Sequence, residues 1–367
     1  MMRIGFVGWR GMVGSVLIGR MMEEEDFKGV ESVFFSASNA RGKSPNIDGA
    51  DTLLQDAFDI KRLAGLKVII SCHGGDYTKR IYKELRSSGW NGYWIDAASA
   101  LRMDKESIIV LDPVNRKVID KGLKNGIKTF VGGNCTVSLM LMALSGLFAS
   151  GYIEWLSTMT YQSASGAGAK NMTELIKQTA FLGKSAESIL NNPAAAAIEL
   201  DRLITESFPI ENFGAPLACS LIPWIDSAME SGQTREEWKG FVEANKILET
   251  DTSIPIDGIC VRVGVMRCHS QALTVKLNKD VPIADIIEII KNGNNWAKAI
   301  PNDKASTLAN LTPAAVSGKL VVPIGRIRKM SIGDKYLTAF TVGDQLLWGA
   351  AEPLRRILKI IIEHISG

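Results

Sequence analysis

The sequence predicts an α/β protein in two parts. A doubly wound, mostly parallel sheet should span residues 1–133 and be completed by a C-terminal helix at 350–367, and an α+β domain should span 134–349. Three observations predict this. The chain opens on a strand, a glycine turn and a helix; short apolar runs then alternate with helical or looped segments; and 367 residues exceed one ordinary small domain but suit two, each with its own core.

Composition narrows the function classes. Apolar content of 46%, charged content of 22% and a net charge of +3 give no bulk attraction to nucleic acid or an anionic membrane, so neither is expected as a partner. The charge-free run from Phe130 to Ile153 is long enough on paper to span a bilayer, but it opens with Gly-Gly-Asn-Cys-Thr and carries Ser138, Ser145, Gly146, Ser150 and Gly151. Its continuously apolar part, Leu139–Leu144, reads as a helix buried on all sides. Charges at Arg3 and Arg10 interrupt any leader, so a cytoplasmic location is expected. The five cysteines are scattered and odd in number; we expect them reduced, and no CxxC or His/Cys cluster suggests a metal.

In chain order, Arg3-Ile-Gly-Phe-Val-Gly8 is a β-prone run that ends in Gly8-Trp9-Arg10-Gly11-Met12-Val13-Gly14 and passes into a helical pattern from Val16 to Met22. Strand, glycine turn and helix form the context of a dinucleotide-binding turn, here in a GxxGxxG variant. Gly8 permits the tight turn, Gly11 lets a pyrophosphate approach the backbone, and Gly14 lets helix and strand pack. A plain βα loop remains the alternative. The second strand, Ser32–Phe35, leads into Ser36-Ala37-Ser38-Asn39-Ala40-Arg41-Gly42-Lys43. A pocket for NAD would carry an acid there to bind the ribose hydroxyls; this one has hydroxyls, two cations and no acid, so a 2′-phosphate and NADP are expected. Arg41 and Lys43 also fit as solvated loop charges.

Further strands are expected at 68–71, 93–96, 108–111 and 129–131. His73-Gly-Gly-Asp-Tyr77 follows the third strand and Ser99-Ala-Leu-Arg102-Met103 the fourth, where ligands gather at strand carboxyl ends. Arg102 is thus a candidate anion clamp, or a surface arginine.

Gly132-Gly133-Asn134-Cys135-Thr136-Val137-Ser138 then presents a thiol at the start of the apolar helix. Unpaired N–H groups and the helix dipole should lower its pKa and make thiolate available near neutrality. Asn134 and Thr136 add polar groups beside it. A buried structural cysteine is the other reading. Tyr161-Gln162-Ser163-Ala164-Ser165-Gly166-Ala167-Gly168-Ala169-Lys170 is a small-residue loop able to lie close to a ligand. Residues 172–206 look helical, broken near Asn191-Asn192-Pro193.

Thr234 reads as the cap of a helix in which Glu236 and Lys239, three apart, share a face; an exposed ion pair is the default. Residues 258–276 read as one long β-prone run containing Arg262, Arg267 and His269. His269 is the residue type best suited to proton transfer near neutrality. In an unbroken strand Arg262 and His269 point to opposite faces, so either a bend near Gly264 brings them together or Arg267, in phase with His269, is its partner. The chain ends on Asp344-Gln-Leu-Leu-Trp348 and an amphipathic helix whose apolar face should return to the first domain.

The glycine turn, the acid-free second strand, Gly-Gly-Asn-Cys-Thr, Glu-Glu-Trp-Lys, Arg-Cys-His-Ser and the terminal Gly-Asp-Gln-Leu-Leu-Trp-Gly-Ala together resemble aspartate-semialdehyde dehydrogenases of the Gram-negative bacterial type over essentially the whole chain. The resemblance implies a Rossmann-type sheet plus a catalytic and dimerisation domain like that of glyceraldehyde-3-phosphate dehydrogenase, and a homodimer. It implies that Cys135 is the nucleophile, His269 the acid/base and Gln162 an orienting group. Arg262 would grip the substrate α-carboxylate, Glu236 would face its ammonium, Arg102 with Lys239 would hold phosphate, and Asn134 would line the substrate site. NADP would touch Gly8, Arg10, Gly11, Met12, Val13, Ala37, Ser38, His73, Ser165, Gly166, Ala167, Gly168, Ala169, Pro193 and Gln345. His73 stands where a glutamine is usual and Ala37 where a hydroxyl is usual. The implied reaction is reductive dephosphorylation of L-aspartyl 4-phosphate to L-aspartate 4-semialdehyde, serving lysine, methionine and threonine synthesis. Alternatives are an N-acetyl-glutamyl-phosphate reductase, in which Glu236 would lack an ammonium to pair with, and an NADP-binding redox sensor.

Overall fold

The computed structural model describes residues 2–186 and 193–367, apart from the side chains at 193 and 195–197. The break expected at Asn191-Asn192 and the Pro193 side chain therefore lie outside the described residues.

The first half builds a seven-stranded sheet from β1 (Met2–Val7), β2 (Val30–Ser36), β3 (Gln55–Asp56), β4 (Val68–Ser71), β5 (Tyr93–Asp96), β6 (Ser107–Val110) and β7 (Thr129–Gly132). All pairings are parallel, in the order β3-β2-β1-β4-β5-β7-β6. Burial on both faces explains why strands such as β4 and β5 read as unbroken apolar runs. The main helices between them are α1 (Met12–Glu23), α2 (Ile60–Ala64), α3 (Gly75–Ser87) and α4 (Asp112–Lys124). Because the chain runs outward in one direction from β1 and in the other from β4, the loops after these strands diverge. They leave a crevice at the strand carboxyl ends.

The second half begins with α5 (Cys135–Ala149) and an eight-stranded mixed sheet. Its strands are β8 (Ile153–Gln162), β9 (Leu221–Ile222), β10 (Ile256–Asp257), β11 (Cys260–Val263), β12 (Cys268–Leu277), β13 (Ala297–Ala299), β14 (Val322–Met330) and β15 (Gly333–Asp344). Around it lie α6 (Ala169–Ala186), α7 (Pro193–Ser207), α8 (Arg235–Leu248), α9 (Ile283–Lys291), α10 (Lys304–Asn310) and α11 (Pro313–Val316). Helix α5 is apolar on every side, and every residue from Thr136 to Phe148 is buried. Each buried Leu or Met contributes roughly 1.5–3 kcal/mol of transfer free energy, so packing and not helix propensity fixes where this helix sits. Among the described residues no helix is long and apolar enough to cross a membrane.

The last helix, α12 (Glu352–Ser366), returns to the first sheet, as its apolar stripe requires. Leu354, Ile357, Leu358 and Ile361 join the cluster built by Ile4, Phe6 and Phe34. A buried ion network pins it: Arg355 donates to Glu352 (2.9 Å) and to Asp26 (2.6 Å), and Arg20 donates to the other oxygen of Glu352 (3.1 Å). Removing Arg355 leaves two carboxylates short of a partner in a low-dielectric region. We predict that Arg355→Ala lowers the free energy of unfolding by about 3–5 kcal/mol in urea titration; a loss under about 1 kcal/mol would show that α12 is held by its apolar face alone.

Candidate functional site

Strand β7 ends in Gly132, and the chain turns through Gly133 and Asn134 into α5. The Asn134 side chain caps the helix, accepting from the amides of Thr136 (3.0 Å) and Val137 (3.2 Å). Cys135 is thereby held in the first turn, half-buried, with its Sγ 3.1 Å from His269 Nε2. The expectation of a depressed thiol pKa is not met. Burial, with Glu236 adding to it, pushes the thiol up to about 12, and Arg262, Arg102 and Lys239 oppose this only in part. Desolvation is the largest cause, and Arg102 and Lys239, each paired with carboxylates, offset it only in part.

The run 258–276 is not one strand. It breaks into β11 and β12, with residues 264–267 turning between them, so the phase rule that separated Arg262 from His269 does not apply. Arg262 Nη1 donates to the Ser163 carbonyl at 2.7 Å. It faces His269 across Gly166, where a Cβ would lie 3.0 Å from Arg262 Nη1 and 3.0 Å from His269 Cε1. Any larger residue there would have to push one of these two side chains aside. Arg267 goes elsewhere, to the buried Asp344 at 2.6 Å, and is not the partner of His269. Gln162 lies directly beside Arg262 in the β8/β11 register.

The exposed ion pair expected on α8 is in fact buried. Glu236 Oε1 accepts from Asn134 Nδ2 (2.9 Å) and Gln162 Nε2 (3.2 Å), and Oε2 from Lys239 (2.9 Å). Burial opposes its ionisation, but these partners outweigh it and hold the carboxyl below its usual range. Burial likewise works against the Lys239 charge, yet Glu236 and Asp226 (2.8 Å) raise its pKa. Sequence reasoning missed Asp226, Ser163 and Glu243. Glu243 Oε2 accepts the Asn134 amide (2.7 Å) and Oε1 accepts from Arg102 (3.1 Å), whose Nε also donates to Gly132 O (2.7 Å). The spacing 236, 239, 243 places all three on one helical face, a signal present in the sequence. Of the three cations around Cys135, Arg102 and Lys239 are paired and Arg262 has no carboxylate within ion-pair reach among the described residues; burial holds its pKa below the usual range.

Around the first turn, Gly8 (φ +74°), Arg10 and Gly11 face Ala37, Ser38 and His73 across a cavity of about 290 Å³. A Cβ at Gly8 would lie 2.5 Å from the Cys72 carbonyl carbon, so the turn and its nearness to the β4 loop require glycine. Met12 and Val13 open α1, whose N-cap residue, Gly11, lines this cavity. Ser165, Gly166 and Ala167 lie instead on a short 3₁₀ turn (Ala164–Ala167) beside His269, with Gly168 and Ala169 leading into α6. Gln345 donates to Ser165 Oγ at 2.8 Å. The expected cofactor residues thus form two groups, one around the first glycine turn and one beside His269. A larger groove of about 800 Å³ between α3 and residues 125–129 contains none of them.

A thiol held above its usual range has a testable consequence. Without substrate, alkylation of Cys135 should accelerate about tenfold per pH unit from about pH 7 to about pH 9 with no plateau, followed by mass spectrometry; a plateau at neutrality would contradict the geometry.

Comparison with known proteins agrees with this arrangement. A family model described as the semialdehyde dehydrogenase NAD binding domain matches residues 3–122, and one described as the semialdehyde dehydrogenase dimerisation domain matches 144–348. The solved aspartate semialdehyde dehydrogenase of Francisella tularensis is 49% identical over 99% of this chain and 100% of its own, with a TM-score of 0.96. Aspartate semialdehyde dehydrogenase II of Vibrio cholerae (24% identity, 98% of each chain, TM-score 0.80) and the Candida albicans enzyme with NADP (17%, 99% of each chain, 0.68) share the fold. The chain belongs to the semialdehyde dehydrogenase family and, with the Francisella protein, to its aspartate-semialdehyde dehydrogenase branch.

Proposed function

We propose that the chain catalyses the reversible, NADPH-dependent reductive dephosphorylation of L-aspartyl 4-phosphate to L-aspartate 4-semialdehyde through a thioester on Cys135, in the route to lysine, methionine and threonine. The observation that carries this reading is Arg262: a buried guanidinium without a carboxylate partner, set beside a thiol–imidazole pair, calls for an anionic ligand at that spot. A substrate α-carboxylate would take its free N–H groups in a bidentate fork. The ionised Glu236, 2.9 Å from Asn134 Nδ2, would face the substrate ammonium, which disfavours an N-acylated substrate. Arg102 and Lys239 would take the phosphate, each moving partly off its carboxylate. Gln162 would orient the acyl group.

The cavity beside Gly8 fits the adenosine end of NADP: amides at a helix start, Arg10 and Ser38 near a 2′-phosphate, and no carboxylate on its wall. Ser165–Ala169 and Gln345 would hold the nicotinamide end near Cys135. When bound, the cofactor supplies the hydride that reduces the thioester. We further read the chain as two working units, 1–133 with 350–367 and 134–349, acting as a homodimer in the cytoplasm. Exposed Leu221, Trp224, Phe241 and Ile259, all on the second unit, support a covered face there.

The test is NADPH formation from aspartate semialdehyde and phosphate. Cys135→Ala should lose at least about 10⁴-fold in turnover while NADPH binding persists in a fluorescence titration; appreciable phosphate-dependent activity in that variant would sink the assignment. Arg262→Lys keeps the charge but not the fork, and kcat/KM should fall by about 10²–10³-fold, mostly through KM. An unchanged KM would move the carboxylate site elsewhere.

A further inference from the structure

His269 is wholly buried, and both of its ring nitrogens have partners. Nε2 lies 3.1 Å from Cys135 Sγ. Nδ1 lies 3.0 Å from the Ser163 main-chain nitrogen. That second contact decides the ring's state, because an amide N–H can only donate. Nδ1 must offer its lone pair, so the single proton of a neutral imidazole sits on Nε2, pointing at the sulfur. The Ser163 hydroxyl, 3.0 Å from Nδ1 and 3.1 Å from Ser165 Oγ, is free to donate to either; the amide has no such choice.

We propose that the Ser163 amide locks His269 in the Nε2–H tautomer, so that the ring acts as a neutral hydrogen-bond donor to sulfur and substrate oxygen and not as the base that deprotonates Cys135. This rests on the reaction proposed above. An imidazolium would set one N–H against another across 3.0 Å at Nδ1. The charged and titratable groups that face the ring are Cys135 on α5, Arg262 on β11 and Glu236 on α8. Burial, then the unpaired Arg262, pushes the imidazole down to about 3, and Glu236 opposes them only weakly.

The proton balance closes without a charged imidazole. In acylation the sulfur bonds to the acyl carbon, the bond from that carbon to the phosphate oxygen breaks, and the thiol proton leaves on the departing phosphate. In reduction, hydride adds to the thioester carbon, the carbonyl electron pair moves to oxygen beside Nε2–H, and its return breaks the C–S bond. The sulfur then regains a proton from solvent. Ser163 is on this account a positioning residue, acting through its main chain.

Imidazole ¹⁵N NMR of the ligand-free protein labelled in histidine reads the tautomer directly, independently of which substrate the enzyme takes. With three histidines in the chain, the His269 signals are those lost in His269→Asn. They should show a protonated Nε2 and a bare Nδ1 from about pH 5.5 to about pH 9. An imidazolium at neutral pH, or a proton on Nδ1, would overturn the proposal. Ser163→Ala keeps the amide and should leave the tautomer as it is; a shift would assign the lock to the hydroxyl and refute the main-chain role. Ser163→Pro removes the amide at a φ of −66° that a proline ring accepts, and should yield a tautomer mixture with kcat reduced about tenfold or more. Should that variant not fold, the wild-type and Ser163→Ala spectra decide alone.

Discussion

The 3.1 Å contact between Cys135 and His269 joins two elements that meet nowhere in sequence, and it depends on α5 being unable to move. The helix is buried from Thr136 to Phe148. Its first turn is tied to the second sheet by Gln271, which donates to Thr136 O (2.9 Å) and accepts from Thr158 (2.9 Å). Close packing of this kind has few alternative arrangements, so the sulfur inherits the rigidity of the core. A nucleophile on a mobile loop would lose much of the advantage of fixed orientation.

Around that fixed point the charges are nearly balanced. Arg102 pairs with Glu243, and Lys239 lies between Glu236 and Asp226, while Arg262 has only a carbonyl. The pairing keeps two of these three cations buried at tolerable cost and leaves the third, Arg262, without a counter-charge. Burial, more than any single charge, keeps the thiol protonated: Glu236 adds to it, and the pull of Arg262, Arg102 and Lys239 does not offset it.

Much of this was legible in the sequence because it is written in side-chain chemistry. The first sheet follows from apolar runs buried on both faces, the glycine turn from its close approach to the β4 loop, and α5 from a stretch with no polar face. The long strands β14 and β15 escaped, since Pro323, Gly325 and alternating arginines blur the pattern of β14. The turn between β11 and β12 carries no standard hairpin signature, so the Arg262/His269 phase problem could not be resolved from periodicity. Ser163 was invisible for a different reason: it acts through an amide that nearly every residue possesses. Glu243 was visible only as a position, seven residues beyond Glu236, until Arg102 and the Asn134 amide were seen to converge on it.

On this reading one buried guanidinium with no carboxylate partner, that of Arg262, seats an amino-acid substrate against the thiol. A crystal structure of the protein with NADP and aspartate semialdehyde tests it most directly. The account predicts the substrate carbonyl carbon at bonding distance from Cys135 Sγ, the α-carboxylate on both terminal nitrogens of Arg262 and the ammonium on Glu236. A carboxylate bound at Arg267, or a substrate seated away from Cys135, would contradict it.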